Sequence, residues 1–260
     1  MTTVNYTNDD PRYIERQLGL FGGLPETTGF GTSSFHVRLI ECSVARALIR
    51  EHHYSQSVVA NSDVHLGVFI QGALQGVLQY GPAMNPASGG SIVRGTTVEG
   101  YRELNRMWLD DIAPANTASR AISYSVKLLR RIRPSVMWIQ SFADERCGRL
   151  GVVYQASNFL FCGSHRAKFW ELDGEWYHNI CMTVRGDARV GRPDAIHLQA
   201  NKERAVMHTF DQYRYILPLH RSVRAKLLLP VLPYPKHAEI LPGVDELGNH
   251  STTSNSSKAT

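Results

Sequence analysis

The feature that most constrains the fold is the stretch over 136–163, which reads VMWIQSFADERCGRLGVVYQASNFLFCG. Its near-continuous apolar run over 136–142 predicts a strand that is buried on both faces. A short helix over 150–156 and a second strand beginning at 159 are predicted to follow. A buried strand, a helix and another strand in this order are typical of α/β proteins. We therefore expect a sheet that is organised around this stretch.

The polar residues after the first of these strands are candidates for a functional site. Asp144, Glu145 and Arg146 come directly after the apolar run, and Tyr154 lies on the helix beyond. Open α/β sheets bind ligands outside the carboxyl ends of buried strands, where these side chains would converge. The alternative is a solvated turn that contains an internal ion pair, and this stretch alone favours neither interpretation.

Patterns along the rest of the chain predict a single α/β or α+β domain, with a mixed central sheet flanked by helices. Alternation and turn residues predict further strands at 35–41, 64–70, 74–80, 103–109, 169–172 and 175–180. Apolar spacing predicts helices at 43–53, 120–131, 202–215 and 221–229. Ser43 and Ser119 are the predicted N-caps of the first two helices.

Composition divides the chain into three parts. We expect an N-terminal arm over 1–34, a folded domain over 35–237 that ends in a basic helical extension, and a disordered tail over 238–260. Within the domain, Gly, Pro, Asn and Ser punctuate 81–100, and Gly, Arg and Pro dominate 185–196. Both segments are predicted to be loops.

The positive charge of the chain is unevenly placed. The formal net charge is +5, with seven Lys and Arg residues within 120–149 and six within 201–226. Two basic clusters favour a polyanion such as nucleic acid as a partner, and solvated helix faces are the alternative. The four cysteines form no CxxC pair, and no apolar run approaches the roughly 20 residues that a membrane span needs. We expect free thiols in a cytoplasmic protein that does not enter a membrane.

Six blocks of sequence carry a resemblance to a known family. They are LNRMWL at 104–109, SRAISY at 119–124, QSFADERCGR at 140–149, GVVYQASNF at 151–159, ELDGEWYH at 171–178 and ANKERAV at 200–206. On these blocks the chain resembles the Mom DNA-modification proteins of transposable bacteriophages. The likeness spans roughly residues 40–236.

The resemblance implies a fold like that of the GNAT acyltransferases and an enzyme that acts in the cytoplasm of a phage-infected bacterium. Its product would be adenine in DNA that carries a carbamoylmethyl (glycinamide) group on N6, which protects phage DNA from host restriction enzymes. The resemblance also implies the use of acetyl-CoA and iron. The active-site residues of the family correspond to His53, Tyr54, Asp144 and Tyr154, which are also the implied iron ligands.

The chemistry of such a reaction assigns roles to particular residues. An adenine amine within double-stranded DNA must be flipped out before it can react, which needs a basic cradle and a stacking surface. We expect DNA contacts from Arg106, Trp108, Arg146, Arg149, Lys202 and Arg204. The candidate stacking residues are Trp108, Phe142, Trp176 and Tyr177. Asp144 is the candidate base for the amine, and Tyr154 is the candidate acid for the leaving group.

The group donor is a separate question. In GNAT enzymes a glycine-rich loop holds the CoA pyrophosphate, but the corresponding segment 113–119 has no glycine. Backbone amides of Ser119, Arg120 and Ala121 at the helix start could bind a phosphate instead. An acetyl group also lacks the nitrogen of the added group, whereas a glycyl group has the same atoms. The donor is therefore either acetyl-CoA or an activated glycine such as glycyl-tRNA, which would make tRNA a partner.

Two other functions are compatible with parts of the sequence. An ordinary GNAT N-acetyltransferase would share the fold but would need the glycine-rich loop. A non-catalytic DNA-binding protein would explain the basic clusters but would have no need of Asp144 or Tyr154.

Overall fold

The computed structural model describes residues 29–236 except 149, 187, 188, 190 and 191. Most of the predicted N-terminal arm and the predicted tail lie outside these residues. The described residues form a mixed α/β fold around a nine-stranded sheet of order β1-β2-β3-β4-β5-β6-β9-β7-β8. Its strands are β1 Gly29–Gly31, β2 Phe35–Leu39, β3 Val64–Ile70, β4 Ala73–Gly81, β5 Tyr101–Leu109, β6 Trp138–Asp144, β7 Leu160–Leu172, β8 Glu175–His178 and β9 Val206–Pro218.

Seven α-helices lie between and after the strands in the described part of the chain. They are α1 Cys42–His52, α2 Gly89–Ile92, α3 Thr117–Ile132, α4 Val152–Ala156, α5 Ile180–Thr183, α6 Pro193–Ala200 and α7 Arg221–Lys226. Single 3-10 turns occur at Pro86–Ser88, Val98–Gly100, Glu145–Cys147 and Lys202–Arg204. Among these residues, no helix has both the length and the apolar character that a membrane crossing requires.

The strand directions produce the mixed sheet that the sequence predicts. Strands β1 to β5 pair antiparallel in chain order, and β5 then pairs parallel with β6. Helix α3 is the crossover between these two parallel strands, since parallel neighbours need a long connection. The predicted α/β fold with a mixed central sheet is therefore confirmed.

The chain divides into two compact units. The first consists of 29–141, 153–162 and 215–231, and the second of 142–152, 163–214 and 232–236, as far as each is described. In the first unit, the rings of Tyr101 and Trp138 stack with centroids 4.4 Å apart at the centre of an apolar cluster. Helix α3 packs its apolar face inward, and Tyr80 shares a 2.6 Å hydrogen bond with Ser125 on that face.

Several local predictions were wrong. The predicted helix over 202–215 is a single 3-10 turn followed by β9. Aromatic and β-branched residues fill that segment, and they fit a pleated surface better than a helix. The predicted loop over 81–100 contains α2 and two 3-10 turns, and the loop over 185–196 runs into α6. The hairpin strand predicted to reach 180 ends at His178, where α5 follows.

The two predicted N-caps were also wrong. Helix α1 begins one residue before Ser43, whose hydroxyl donates to the Glu41 carboxylate at 3.4 Å. Helix α3 begins at Thr117 because Asn116 takes the N-cap position in a left-handed conformation, with φ of 64°. Ser119 is therefore inside the first turn, where its hydroxyl donates to the Asn116 carbonyl at 3.1 Å.

Candidate functional site

Asp144 lies at the end of β6, as predicted, and its side chain is bound by Arg146. The Asp144 side chain is only 8% exposed. Oδ2 accepts a 2.6 Å hydrogen bond from Nη2 of Arg146, and Oδ1 accepts from Nε and from the backbone N–H of Arg146, both at 3.1 Å. The predicted ion pair in this turn is therefore present, but it is buried rather than solvated.

Aromatic rings of the β7–β8 hairpin hold the Arg146 guanidinium in place. The guanidinium carbon lies 3.8 Å from the ring centroid of Phe169 and 5.6 Å from that of Trp176. The ion pair and the ring contacts already fix the orientation of the guanidinium plane. The Arg146 side chain therefore loses little conformational entropy when it makes a further contact. The structure thus places Arg146, a predicted DNA contact, in a clamp on Asp144.

His178 belongs to the same cluster, and sequence reasoning did not single it out. The β7–β8 register places it opposite Phe169, and the two rings meet edge to face at 5.3 Å. Its Nδ1 accepts the backbone N–H of Ile180 at 3.2 Å. Burial lowers the pKa of His178, the charge of Arg146 lowers it further, and Asp144 opposes both effects. The only sequence signal was its place at the end of the block 171–178.

A second histidine lies on β7 in the same unit. The ring of His165 meets Phe142 edge to face at 5.4 Å, and the Arg214 guanidinium lies 4.9 Å from the Phe142 centroid. Burial and the charge of Arg214 lower the pKa of His165, against an opposing effect of Asp211. Both histidines therefore favour the neutral form, in which an imidazole has one donor and one acceptor nitrogen.

The exposed side of the cluster is formed by Trp176, which is 42% exposed. His208 and Phe210 of β9 pack against it with centroid distances of 5.0 and 5.5 Å. Of the predicted DNA contacts in this unit, Arg204 pairs with Asp173, and Lys202 is exposed. Arg149 lies outside the described residues.

In the first unit, His53 and Tyr54 lie together directly after α1. Their ring centroids are 4.3 Å apart, and Nδ1 of His53 lies 2.9 Å from Oγ of Ser55. His53 is buried, whereas Tyr54 is 63% exposed. The pair therefore combines a positioned imidazole with a phenol that solvent can reach.

Tyr154 lies on α4 within an aromatic group of the first unit. Its ring centroid is 5.3 Å from that of Tyr215 and 5.4 Å from that of Phe159. Nε2 of Gln155 donates to the Tyr215 hydroxyl at 3.1 Å. Tyr154 also contributes to the raised pKa of Tyr80, although burial is the main cause. The structure thus groups His53 with Tyr54 and surrounds Tyr154 with rings, while Asp144 belongs to the second unit.

The implied iron ligands can be tested against this geometry. Imidazole, phenolate and carboxylate form a hard donor set of the kind that suits iron(III). However, both oxygens of Asp144 accept hydrogen bonds from Arg146, and a metal ion there would lie beside a guanidinium. With its oxygens bound in this way, Asp144 does not fit as an iron ligand.

The remaining predicted contacts are on β5 and at the start of α3. Nε of Arg106 donates to the Ser57 carbonyl at 2.8 Å, and the ring of Trp108 is stacked on His52 at 4.3 Å. The predicted phosphate site on α3 needs correction because the helix starts earlier than expected. The Arg120 amide donates to the Asn116 carbonyl at 3.1 Å, and Ala121 lies deeper in the helix. Of the three predicted amides, only that of Ser119 lies in the first turn.

Comparison with known proteins places these residues in a family. The model of the Mom protein family matches residues 34–236. The chain belongs to the Mom protein family. A relative from Escherichia phage Mu, named Methylcarbamoylase mom, is 54% identical over 216 residues, which cover 81% of this chain and 88% of the relative. The family match includes every candidate residue discussed above.

Solved structures with a similar arrangement are acetyltransferases. A ribosomal-protein-S5-alanine acetyltransferase from Vibrio fischeri has a TM-score of 0.44 and 12% identity over 74% of this chain and 97% of its own. A putative acetyltransferase from Salmonella typhimurium, solved with acetyl-CoA, has a TM-score of 0.42 and 8% identity over 72% of this chain and 95% of its own. With TM-scores below 0.5, neither gives grounds for transferring an activity or a cofactor.

Proposed function

We propose that this member of the Mom family is an enzyme that modifies adenine in DNA, with carbamoylmethyl-adenine as the product. The observation that carries the proposal is the 54% identity to a protein named a methylcarbamoylase. The biological effect would be protection of phage DNA from restriction enzymes in the bacterial cytoplasm.

Trp176 is the proposed stacking surface for the flipped adenine. It is 42% exposed, which leaves ring area for a ligand. Two other candidates are covered, because His52 stacks on Trp108 and Arg214 lies over Phe142. A base that stacks on an aromatic side chain gains roughly 1–3 kcal/mol whatever its identity. Arg146, beside Trp176, would extend the stacking surface with its planar cation.

Asp144 is the proposed base for the adenine amine. The amine is a weak nucleophile because its lone pair is delocalised into the purine, so a proton acceptor is needed. The Arg146 clamp holds the carboxylate at the strand end but also occupies both oxygens, and the amine hydrogen must share or displace one of these bonds. His178 is proposed to donate a hydrogen bond to the substrate. Because its Nδ1 accepts from Ile180, the neutral ring carries its hydrogen on Nε2.

An activated glycine such as glycyl-tRNA is the proposed donor, with acetyl-CoA as the alternative. Glycyl transfer to N6 releases the carrier and forms an amide. Attack of the free glycyl amine on purine C6, with cleavage of the original C6–N6 bond, then yields the glycinamide product with all atoms conserved. Tyr154 would protonate the leaving carrier oxygen in the first step. Iron has no part in the proposal, since the clamp on Asp144 does not fit it.

Nucleoside mass spectrometry of plasmid DNA from cells that express the protein tests the proposal. Expected is a deoxyadenosine heavier by the glycinamide group, absent with Asp144→Ala and with Tyr154→Ala. Adenine labelled with ¹⁵N at N6 should carry the label in the carboxamide, and labelled glycine should enter the side chain. Unmodified adenine in all samples, with soluble protein, would favour a DNA-binding protein. An N-acetyl product would favour an ordinary acetyltransferase.

A further inference from the structure

A surface pocket in the first unit is formed where two distant parts of the chain meet. Its volume is about 120 Å³, and it lies between residues 93–97 and helix α7. Apolar side chains form part of its lining, including those of Met137 and Val223. Charged and hydroxyl side chains also line it, namely Arg94, Thr96, Thr97, Ser135, Ser222 and Lys226. The pocket is therefore partly apolar and carries two positive charges.

Backbone hydrogen bonds hold the two charged residues side by side. The N–H of Arg94 donates to the carbonyl of Lys226 at 2.8 Å. Val93 forms a β-bridge with Leu227, and the N–H of Leu228 donates to the Ile92 carbonyl at 2.9 Å. Two cations that would repel each other in a flexible chain are thus brought together by the fold, which favours an anion between them.

A hydroxyl group is oriented at the same place. The buried indole of Trp138 donates from Nε1 to Oγ1 of Thr96 at 3.0 Å. Because this oxygen accepts from the indole, the Thr96 hydroxyl hydrogen can be donated to a ligand in the pocket. Glu99, the only acidic residue within 93–100, pairs with Arg102 at 2.6 Å. Arg102 also pairs with Asp63 at 3.1 Å, so it compensates the charge of Glu99 only in part.

The positive charge extends along α7 beyond the pocket. Arg94, Arg221, Arg224 and Lys226 are all exposed. In the part of the chain that the structure describes, none of the four pairs with a carboxylate, whereas Arg102, Arg146 and Arg204 do. A pocket of this size holds one phosphate group. The exposed cations of α7 lie beside the pocket, and several positive charges in a row favour a chain of phosphates over a single ion.

We propose that this pocket binds a backbone phosphate of DNA and so positions the DNA on the first unit. The inference rests on the proposed function, and it assigns to Arg94 and Lys226 a contact that is independent of DNA sequence. Phosphate contacts set the position of a protein on DNA, while sequence is read elsewhere. A free phosphate has the same chemistry and is distinguished by the experiment below.

Fluorescence anisotropy of a labelled DNA duplex, measured over a series of salt concentrations, tests the proposal. The double variant R94A/K226A should bind more weakly at low salt, and its slope of log K against log salt should be smaller by about one. R50A/R166A removes two other exposed arginines and is the matched control. T97E places a carboxylate in the pocket and should weaken binding as R94A/K226A does, whereas T97Q should not.

The outcomes separate this inference from the proposed function. Equal slopes for R94A/K226A, R50A/R166A and the wild type, with DNA bound by all three, would overturn the pocket but leave DNA modification standing. No binding of DNA by the wild type would overturn both. If inorganic phosphate raises the melting temperature of the wild type but not of R94A/K226A while DNA binding is equal, the ligand is free phosphate and the DNA assignment is wrong.

Discussion

Nη2 of Arg146 lies 2.6 Å from Oδ2 of Asp144 while the guanidinium carbon lies 3.8 Å from the centre of the Phe169 ring. Each contact supports the other, because the ring fixes the plane of the guanidinium and the guanidinium fixes the carboxylate. Asp144 is thus the best positioned of the candidate catalytic groups.

Arg146→Ala should destabilise the protein by roughly 3–5 kcal/mol, since it leaves a buried carboxylate without its partner. Urea unfolding measures the loss. The double variant D144A/R146A should be more stable than R146A, because the uncompensated charge is gone. Equal stability of the two variants would mean that the unpaired Asp144 carboxylate does not destabilise R146A. Arg146→Lys keeps the charge but loses the bidentate contact, and we expect it to lower adenine modification measured by mass spectrometry.

Trp176→Ala should reduce adenine modification strongly, and it should also lower stability because the ring packs against His208 and Phe210. The expected loss corresponds to roughly 1–3 kcal/mol of base stacking. Trp176→Phe should keep most of the activity because it keeps an aromatic face. Trp108→Phe is the control, since His52 already stacks on that ring. A W176A variant with wild-type modification would remove Trp176 from the site.

Stability should decrease as the pH falls below about 6.5, because the pKa values of His165 and His178 are lowered from that value. The unfolded chain then binds protons that the folded state does not, so protonation favours unfolding. The stability that the two neutral histidines contribute is complete above their pKa in the unfolded chain. It is lost as the pH falls through their lower pKa values in the folded state. Urea unfolding at pH 5 to 8 should show a shallower pH dependence for H165Q/H178Q. An unchanged dependence would contradict the lowered values.

Tyr154→Phe should abolish or greatly reduce modification because it removes the proposed acid, while the ring contacts with Phe159 and Tyr215 remain. Tyr215→Phe is the matched control. It removes the hydroxyl that accepts from Gln155 and should cost about 0.5–1.5 kcal/mol of stability. Modification should persist in Y215F. If both variants are equally active, the Tyr154 hydroxyl is not the acid.

Tyr54→Phe tests the exposed phenol beside His53. The side chain is 63% exposed, so the variant should unfold at the same urea concentration as the wild type. Loss of modification would therefore report chemistry and not folding. His53→Ala should also lose stability, since His53 is buried and hydrogen-bonded to Ser55. Full activity of Y54F would leave His53 as the functional member of the pair.

The sequence predicted the centre of the fold well and its polar strands poorly. One apolar run predicted β6, a second apolar run predicted β7, and the glycines between them marked the loop before α4. These local signals were strong. The predicted helix over 202–215 is mostly β9 in the structure. Its partners in the sheet come from other parts of the chain, and a local pattern does not contain them.

By itself, the sequence determined the mixed α/β fold, the family, and the position of Asp144 at the end of a buried strand. Only the tertiary structure decided what surrounds that carboxylate. Arg146 binds Asp144, and His178 joins the cluster because the hairpin register sets it opposite Phe169. These contacts depend on strand pairing and side-chain packing between residues far apart in the chain. The local periodicity of the sequence indicates which face of a strand a side chain lies on. It does not indicate which residue that side chain contacts.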